Sequence, residues 1–287
     1  MTLFDSPGTM NGKICLVTGA TSGVGLYTAL GLARKGAEVI LVGRRQDRAE
    51  AAARWLQSKT GRDPIHILLA DLSRPAEIRR LAQEVMERVP RLDVLVNDAG
   101  AFFFRRGETA EGLECTFALN HLSYFLLSHL LLDLLAESTP SRVVNVASNA
   151  HWSARIEFDD LQLRHGYNPM RAYANSKLGN VWFTYEFARR LAGRGVTANT
   201  LTPGLVATNL GKNRWTRPFL SIGYGLFGKS PAAGAETPVY LASSAEVEGV
   251  SGKFFIDKKA VPSSPRSYDA TEAARMWRAT AELAGVG

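Results

Sequence analysis

The chain has 287 residues, of which 46% are hydrophobic and 21% are charged, as in ordinary globular proteins. No stretch approaches the roughly 18 consecutive apolar residues of a membrane-spanning helix, and the N-terminus has no secretory pattern. We therefore expect no transmembrane segment and a cytoplasmic location. The net charge of +7 comes from intermingled basic and acidic side chains without a nucleic-acid motif. Nucleic acid is therefore not an expected partner.

Short apolar runs alternate with helical patterns along the chain. Strands are predicted over 13–18, 38–43, 65–70, 92–97, 142–147, 196–201 and 252–256. Helices are predicted from the first glycine turn to about 36, and over about 45–58, 76–88, 113–136 and 173–192. Because parallel strands need long crossover connections, this alternation predicts a doubly wound α/β fold. We expect a seven-stranded, mostly parallel sheet with helices on both faces.

A glycine-rich turn follows the first strand, in the segment Thr18-Gly19-Ala20-Thr21-Ser22-Gly23-Val24-Gly25. Glycines let the backbone turn tightly and approach a ligand closely. The helix that follows offers free N–H groups and a partial positive charge to phosphate. Any strand-to-helix connection could carry such a turn, so the motif alone only suggests a dinucleotide site.

Tyr173 and Lys177 are four residues apart and share one face of a predicted helix. A neighbouring ammonium lowers the pKa of a tyrosine from its ordinary value of about 10. Such a tyrosine can exchange a proton with a carbonyl oxygen near neutral pH. The pair is common by chance on helices, but together with the upstream glycine turn it predicts an oxidoreductase.

The glycine spacing and the Tyr/Lys pair resemble the short-chain dehydrogenase/reductase family over about residues 12–252. The resemblance implies one Rossmann domain over 1–287, with a substrate loop at about 205–230 and a C-terminal extension at about 258–287. It also implies four catalytic residues: Asn120, Ser148, Tyr173 and Lys177.

The resemblance gives each of these four residues a role. Tyr173 would exchange the proton and Ser148 would hydrogen-bond the carbonyl oxygen. Lys177 would lower the pKa of Tyr173 and hold the nicotinamide ribose, and Asn120 would support a water that relays protons to Lys177. The segment Asn97-Asp98-Ala99-Gly100 departs from the family's Asn-Asn-Ala-Gly at Asp98, which accepts hydrogen bonds but donates none unless protonated.

The end of the second strand carries Arg44 and Arg45 and no acidic residue before Asp47. An acid near this position usually binds the ribose 2′-hydroxyl of NAD, whereas guanidinium groups suit a 2′-phosphate. The cofactor prediction is therefore NADP(H). The resemblance and the two arginines together predict cofactor contacts at Gly19, Thr21, Ser22, Gly23, Val24, Gly25, Arg44, Arg45, Asp71, Leu72, Asn97, Ala99, Gly100, Tyr173, Lys177, Pro203, Gly204, Val206 and Thr208.

Within the family, the segments 39–45, 119–122 and 148–151 look most like the retinol dehydrogenase and protochlorophyllide-reductase-like branch. Aromatic residues at 102–104 and in the loop near 205–230 suit a bulky, lipophilic aldehyde or ketone, or equally pack the loop onto the core. A C=C reductase and a noncatalytic NADP-binding redox sensor are the alternatives.

The five histidines show no zinc-site spacing, so no metal is expected. Family members usually pair through the helices near 113–136 and 173–192. The resemblance therefore implies a homodimer or homotetramer.

Overall fold

One eight-stranded sheet forms the centre of the computed structural model, which describes residues 9–61, 65–204 and 229–286. The strand order is β3-β2-β1-β4-β5-β6-β7-β8. All pairs are parallel except β7 with β8. The strands are β1 Ile14–Thr18, β2 Glu38–Gly43, β3 Ile65–Leu69, β4 Val94–Asn97, β5 Ser141–Val146, β6 Val196–Thr202, β7 Phe254–Ile256 and β8 Lys259–Val261.

Helices cover both faces of this sheet, which confirms the doubly wound fold. The α-helices are α1 Gly23–Arg34, α2 Gln46–Thr60, α3 Pro75–Arg88, α4 Cys115–Phe117, α5 Ser123–Leu130, α6 Leu132–Glu137, α7 Pro169–Arg190, α8 Pro231–Gly234, α9 Glu236–Ser243 and α10 Ala270–Ala284. Side chains alternate along each strand, so Leu16 faces α3, α5 and α7 while Val17 faces α1, α2 and α9.

The eighth strand, which the sequence analysis did not predict, corrects the expected count of seven. β7 and β8 form an antiparallel hairpin through Asp257 and Lys258, whose φ angles are 49° and 66°. A two-residue hairpin turn needs such positive φ angles and usually uses Asn-Gly or Asp-Gly. The Asp-Lys pair lacks the glycine, so the turn carried no clear sequence signal.

The single helix expected over 113–136 is interrupted. A π-helical segment, Ala118–Leu122, separates α4 from α5, and Leu131 leaves helical geometry between α5 and α6. Insertions of this kind are frequent at functional sites. Asn120, one of the predicted catalytic residues, lies inside the π segment.

The C-terminal helix α10 was expected only as part of an extension. Its N-terminus is capped by Asp269, whose carboxylate accepts hydrogen bonds from the N–H groups of Thr271 and Glu272. Gly285 ends the helix in the left-handed conformation, with φ 64°. These signals stand in the sequence on either side of an amphipathic segment.

Helix α10 packs across α5 and α7 through Trp277. The Trp277 ring lies 4.8 Å from the ring of Phe125 and 5.9 Å from that of Phe183, measured between centroids. The Arg190 guanidinium lies 4.2 Å from the Trp277 ring centre. With the sheet on one side and α10 on the other, most of α7 is buried. Helix α10 thus lies over part of α5 and α7, two of the helices in the regions through which pairing was expected.

No helix within residues 9–61, 65–204 and 229–286 is both long and apolar enough to cross a membrane.

We expect Trp277→Ala to lower the free energy of unfolding by about 2–3 kcal/mol, because it removes the aromatic contacts that hold α10 in place. Leu283→Ala, on the same helix but 37% exposed, serves as the control and should cost less than about 1 kcal/mol. Urea unfolding followed by circular dichroism measures both. Equal losses in the two variants would contradict this account of the packing.

Candidate active site

The carboxyl ends of β1, β4, β5 and β6 meet at one edge of the sheet, where ligands bind in doubly wound folds. Thr18 joins two of these ends. Its Oγ1 accepts hydrogen bonds from the N–H groups of Asp98, at 2.9 Å, and Ala99, at 3.1 Å. The glycine turn and the Asn97–Gly100 segment therefore form one unit.

The close contacts in this unit require glycine at two positions. A Cβ built on Gly19, whose φ is 67°, would lie 2.8 Å from Cα of Ala99. A Cβ built on Gly25 would lie 2.6 Å from Oδ2 of Asp98 and 2.7 Å from the Gly19 carbonyl oxygen. Side chains at these positions would push α1 away from the sheet.

The N-terminus of α1 suits a phosphate group. Ser22 is the N-cap residue but makes no side-chain capping bond, and the first turn contains no acidic residue. The N–H groups of a helix's first turn lack intrahelical partners and, together with the helix dipole, favour the binding of an anion. Thr21 stays partly exposed beside this turn, whereas the Val24 side chain is buried against Ala235. Val24 can therefore offer a ligand only its main chain.

The two candidate arginines for a 2′-phosphate differ in their partners. The Arg45 guanidinium donates two hydrogen bonds to Asp47, at 3.0 and 2.6 Å. The Arg44 side chain is 70% exposed and its nearest carboxylate contact is Asp71, 3.9 Å away. Arg44 is thus available to a phosphate, while Arg45 already has a bidentate partner. The sequence did not distinguish the two.

Several residues predicted to contact the cofactor use their side chains to contact other parts of the protein. Asp71 Oδ1 accepts hydrogen bonds from the N–H and hydroxyl of Ser73, and Leu72 is buried in the core. The Asn97 amide donates to Ser128 and Asn145, linking β4 to α5 and β5.

The remaining predicted contacts lie at the same sheet edge or outside the described residues. Gly100 lies beside Lys177, because a Cβ built on it would be 3.8 Å from the Lys177 Nζ. Pro203 and Gly204 follow β6, and Gly204 has a φ of 81°. Val206 and Thr208 lie outside the described residues.

Helix α7 places Tyr173 and Lys177 together. Asn168 caps the helix by accepting a hydrogen bond from the Arg171 N–H, and Pro169 occupies its first turn. The Lys177 Nζ donates to the Val146 carbonyl oxygen at 3.0 Å and lies 5.5 Å from the centre of the Tyr173 ring. The Tyr173 side chain is partly exposed, as a group that meets a substrate must be.

Lys177 is almost completely buried. Burial lowers the pKa of its ammonium from 10.5 to about 8, because the charged form loses hydration, and the negative charge of Asp98 opposes this effect. The Tyr124 ring centre, 5.6 Å from the Nζ, supplies a further favourable contact.

Ser148 directly follows Ala147 at the end of β5 and is partly exposed. Its Oγ accepts a hydrogen bond from the Ala150 N–H at 3.2 Å, so it caps the helical turn Asn149–Ser153. The hydroxyl can still donate to an oxygen in the crevice.

His151 holds the Ser148 turn in place. Its Nδ1 donates to the Ser148 carbonyl oxygen at 2.7 Å, and its Nε2 accepts from the Ser264 N–H at 3.0 Å. In the sequence, His151 stands out only as part of a segment that resembles one branch of the family. Its position three residues after Ser148 was the available signal.

Asn120 is fully buried and bonds to protein groups on every side. Its Oδ1 accepts from the Ala101 N–H and its Nδ2 donates to the Ala101 carbonyl oxygen, both at 2.9 Å. Its own carbonyl oxygen accepts from the Asn180 Nδ2 at 2.8 Å. Asn120 thereby fixes the segment after Gly100 against α7. The water relay expected at Asn120 stays a prediction.

An aromatic side chain stands next to Tyr173. The Phe102 ring centre lies 5.7 Å from that of Tyr173 and 5.0 Å from that of Phe104, which is 40% exposed. Of the aromatic residues expected near the substrate, Phe102 thus lies beside Tyr173 and Phe104 packs against Phe102. Those of the loop near 205–228 lie outside the described residues. The part of the chain that the structure describes contains no group of three or more potential metal ligands.

The family model for short chain dehydrogenases matches residues 13–218. The chain belongs to this family. It is 42% identical to human retinol dehydrogenase 14 and 40% identical to human retinol dehydrogenase 13, over 98% of this chain and 88% and 87% of those proteins. This short-chain dehydrogenase is accordingly an oxidoreductase of the class that interconverts alcohols and carbonyls.

Solved structures of the family superpose on it. A protein from Mycobacterium paratuberculosis, 33% identical, matches with a TM-score of 0.81 over 100% of this chain and 98% of that one. RhlG from Pseudomonas aeruginosa, solved in a complex with NADP and 30% identical, matches with a TM-score of 0.68 over 87% and 96%.

His121 connects the π segment of this dehydrogenase to α7 and α10. Its Nδ1 lies 3.1 Å from the Asn180 Oδ1 and its Nε2 lies 2.9 Å from the Thr280 Oγ1. Burial lowers the pKa of His121 to about 4. The neutral ring therefore bonds both partners at neutral pH.

We expect the free energy of unfolding to fall as pH drops from about 6.5 to 4. In this range His121 binds a proton in the unfolded state but stays neutral in the folded state, so acid favours unfolding. His121→Gln should flatten this part of the pH profile. His165→Gln, a change at a side chain that is 92% exposed, should alter the profile much less. Chemical unfolding at half-unit pH steps measures the slopes. Identical slopes in the wild type and His121→Gln would contradict the assignment.

Proposed function

We propose that the protein is an NADP(H)-dependent dehydrogenase that interconverts a bulky, lipophilic carbonyl compound and its alcohol, with Tyr173 as the acid/base group. One observation carries the proposal: a buried lysine ammonium lies 5.5 Å from the Tyr173 ring at the sheet edge that holds the glycine turn. A positive charge at so buried a position favours the phenolate form of Tyr173 and therefore makes its phenol a better acid.

Three side chains have separate roles in the proposed reduction. Tyr173 donates a proton to the carbonyl oxygen while the Ser148 hydroxyl hydrogen-bonds that oxygen and orients it. Lys177 stabilises the resulting phenolate. NADPH, when bound, supplies the hydride to the carbonyl carbon. In the oxidation of an alcohol the proton moves back to Tyr173.

The residues present fit a dinucleotide phosphate. Ser22 makes no side-chain capping bond at the N-terminus of α1, and Gly19 and Gly23, which have no side chains, adopt positive φ angles of 67° and 60° in this turn. Arg44 would hold the 2′-phosphate, since it is exposed and only distantly paired. The NADP complex of the relative RhlG adds support by analogy.

A lipophilic substrate is supported by the Phe102 ring, which contacts the ring of Tyr173, and by the names of the retinol dehydrogenase relatives. A retinal-like aldehyde or ketone is the substrate class we propose. A reductase acting on C=C bonds would need the same cofactor site. A noncatalytic redox sensor would not need the Tyr173 and Lys177 arrangement.

The unit proposed is one NAD(P)-binding Rossmann domain over 1–287, with its substrate loop at about 205–230 and the C-terminal extension at about 258–287 folding as part of it. The cytoplasmic location and the homodimer or homotetramer stay predictions. Since α10 lies over α5 and α7, we propose that any pairing uses another surface. A subunit contact mapped by cross-linking onto the covered faces of α5 and α7 would contradict this.

We expect Tyr173→Phe to lower kcat for carbonyl reduction at least about 100-fold, because it removes the proton donor but keeps the ring. Its dissociation constant for NADPH should stay within a few-fold of the wild type. NADPH absorbance is followed with short aldehydes, steroid ketones and retinal. Tyr240→Phe, a matched change on α9, should keep full activity.

An unchanged kcat in Tyr173→Phe would remove this residue from the mechanism. Tight NADPH binding without turnover of any carbonyl would favour a C=C reductase or a noncatalytic redox sensor.

We expect Arg44→Ala to raise KM for NADPH about 10-fold or more with little change for NADH, because it removes a cation for the 2′-phosphate. Arg45→Ala is the matched control and should have a smaller effect, since the Arg45 charge is already paired with Asp47. Steady-state kinetics with both cofactors decide the question. A wild-type preference for NADH would overturn the NADP(H) proposal.

A further inference from the structure

Both ring nitrogens of His151 bond to main-chain groups that can act in only one way. A main-chain N–H can only donate, so the Ser264 N–H, 3.0 Å from Nε2, makes that nitrogen the acceptor. A carbonyl oxygen can only accept, so the Ser148 carbonyl oxygen, 2.7 Å from Nδ1, requires the ring proton on Nδ1. The two contacts together therefore define one neutral tautomer of His151.

The surroundings of His151 favour this neutral form. The residue is 1% exposed, and the centre of its ring lies 4.9 Å from that of Phe254 on β7. Burial lowers the pKa of His151, because the charged ring would lose its hydration. A second proton on Nε2 would also point at the Ser264 N–H and break that hydrogen bond. The ring thus keeps both of its main-chain partners near neutral pH.

The hydrogen bond from Nδ1 acts on the main chain of Ser148. The Ser148 carbonyl oxygen also accepts from the main-chain N–H of His151, at 3.2 Å, so one residue supplies both donors. The Ser148 Oγ accepts from the Ala150 N–H within the same turn. The direction of the Ser148 hydroxyl therefore depends on a peptide group that His151 holds.

Ser264 belongs to a short turn, residues 263–268, which we call the C-terminal turn. Ser267 donates its N–H and its hydroxyl to the Ser264 carbonyl oxygen, at 2.9 and 2.6 Å. The Trp182 indole N–H donates to the Arg266 carbonyl oxygen at 3.1 Å and so attaches the turn to α7. Because α7 also carries the proposed acid/base group, the C-terminal turn and the proton donor share one support.

We propose that His151 is a positioning residue for the reaction, and that the C-terminal turn, through the Ser264 N–H, holds its ring so that the Ser148 hydroxyl faces the substrate oxygen. This inference rests on the proposed function, in which that hydroxyl orients the carbonyl oxygen. The C-terminal turn is then part of the active site. Its contribution is a main-chain N–H, which no sequence motif identifies.

Two substitutions at Ser264 separate its N–H from its side chain. Ser264→Pro removes the N–H, and the Ser264 φ of −59° is one that proline adopts. Ser264→Ala keeps the N–H and removes a buried hydroxyl whose oxygen has no hydrogen-bond partner among the described residues. We expect Ser264→Pro to lower kcat for carbonyl reduction about tenfold, because a small misplacement of a positioned group is costly.

Ser264→Ala should keep most of the wild-type kcat. Each kcat is calculated per enzyme molecule that binds NADPH, so that a loss of folded protein does not count as a loss of catalysis. Equal values for Ser264→Pro and Ser264→Ala would refute the role of the C-terminal turn.

A double-mutant cycle on kcat tests whether His151 acts through Ser148. Phenylalanine keeps a planar ring but has neither nitrogen, so we expect His151→Phe to lower kcat about tenfold. In a Ser148→Ala background the same change should cost much less, because no hydroxyl is left to orient. A role in folding alone would give the same loss in both backgrounds, and that result would overturn the proposal.

Two further variants complete the cycle. His151→Asn offers an amide N–H near the position of Nδ1 and should recover part of the kcat lost in His151→Phe; where the phenylalanine variant does not fold, the cycle is run with His151→Asn. His129→Phe, the same change in the last turn of α5, is the control and should leave kcat unaltered. The dissociation constant for NADPH should stay close to the wild-type value throughout, since the proposed phosphate site lies at α1.

Failure of the proposed function gives a different result. A wild type that binds NADPH but reduces no carbonyl refutes the proposed activity. The ¹⁵N NMR shifts of the His151 ring then test the positioning contacts without turnover. We expect a protonated Nδ1 and a bare Nε2 near neutral pH in the wild type and Ser264→Ala, and a mixture of tautomers in Ser264→Pro. A proton on Nε2 in the wild type would contradict the inference.

Discussion

The site depends on keeping one ammonium charged where water hardly reaches it. Lys177 is 4% exposed, yet the chemistry proposed for Tyr173 requires the positive charge beside the phenol. Burial strengthens the action of that charge on the tyrosine and at the same time favours its loss. The fold meets both demands by ending β5 at a carbonyl that accepts a hydrogen bond from the Nζ, and by placing the Tyr124 and Tyr173 rings beside the ammonium.

The same sheet edge makes the charge useful. The glycine turn must approach the β4 end so closely that Gly19 and Gly25 leave no room for a Cβ. This brings the N-terminus of α1, the proposed phosphate site, next to the segment that lies beside Lys177. The segment Asn97–Gly100 therefore connects the proposed phosphate site to the proposed proton donor, and we expect a change in this segment to act on both.

Much of the fold could be predicted from the sequence because its signals are local. Apolar runs that alternate with helical patterns predicted the strands β1–β7 and the doubly wound arrangement. Tyr173 and Lys177 lie on one helix, α7, as their spacing predicted. The hairpin at Asp257 could not be predicted because its Asp-Lys turn lacks the usual glycine, and the π segment around Asn120 interrupts a continuous helical pattern without a proline or glycine to mark it.

The side-chain partners were likewise beyond the sequence. The Arg45–Asp47 pairing, the packing of Trp277 over α5 and α7 and the contact of Asp98 with Gly25 join groups whose proximity only the folded chain defines. The spacing of motifs therefore located the site, while the charges that tune it became visible only in three dimensions.

The most direct test of the account follows the hydrogen that is transferred. NADPH carrying deuterium at both C4 positions of the nicotinamide is incubated with the enzyme and a bulky apolar aldehyde, and the product is analysed by mass spectrometry and NMR. The account predicts one deuterium on the carbinol carbon of the alcohol. Deuterium on a former C=C carbon, or an aldehyde recovered unlabelled and unreduced, would contradict it.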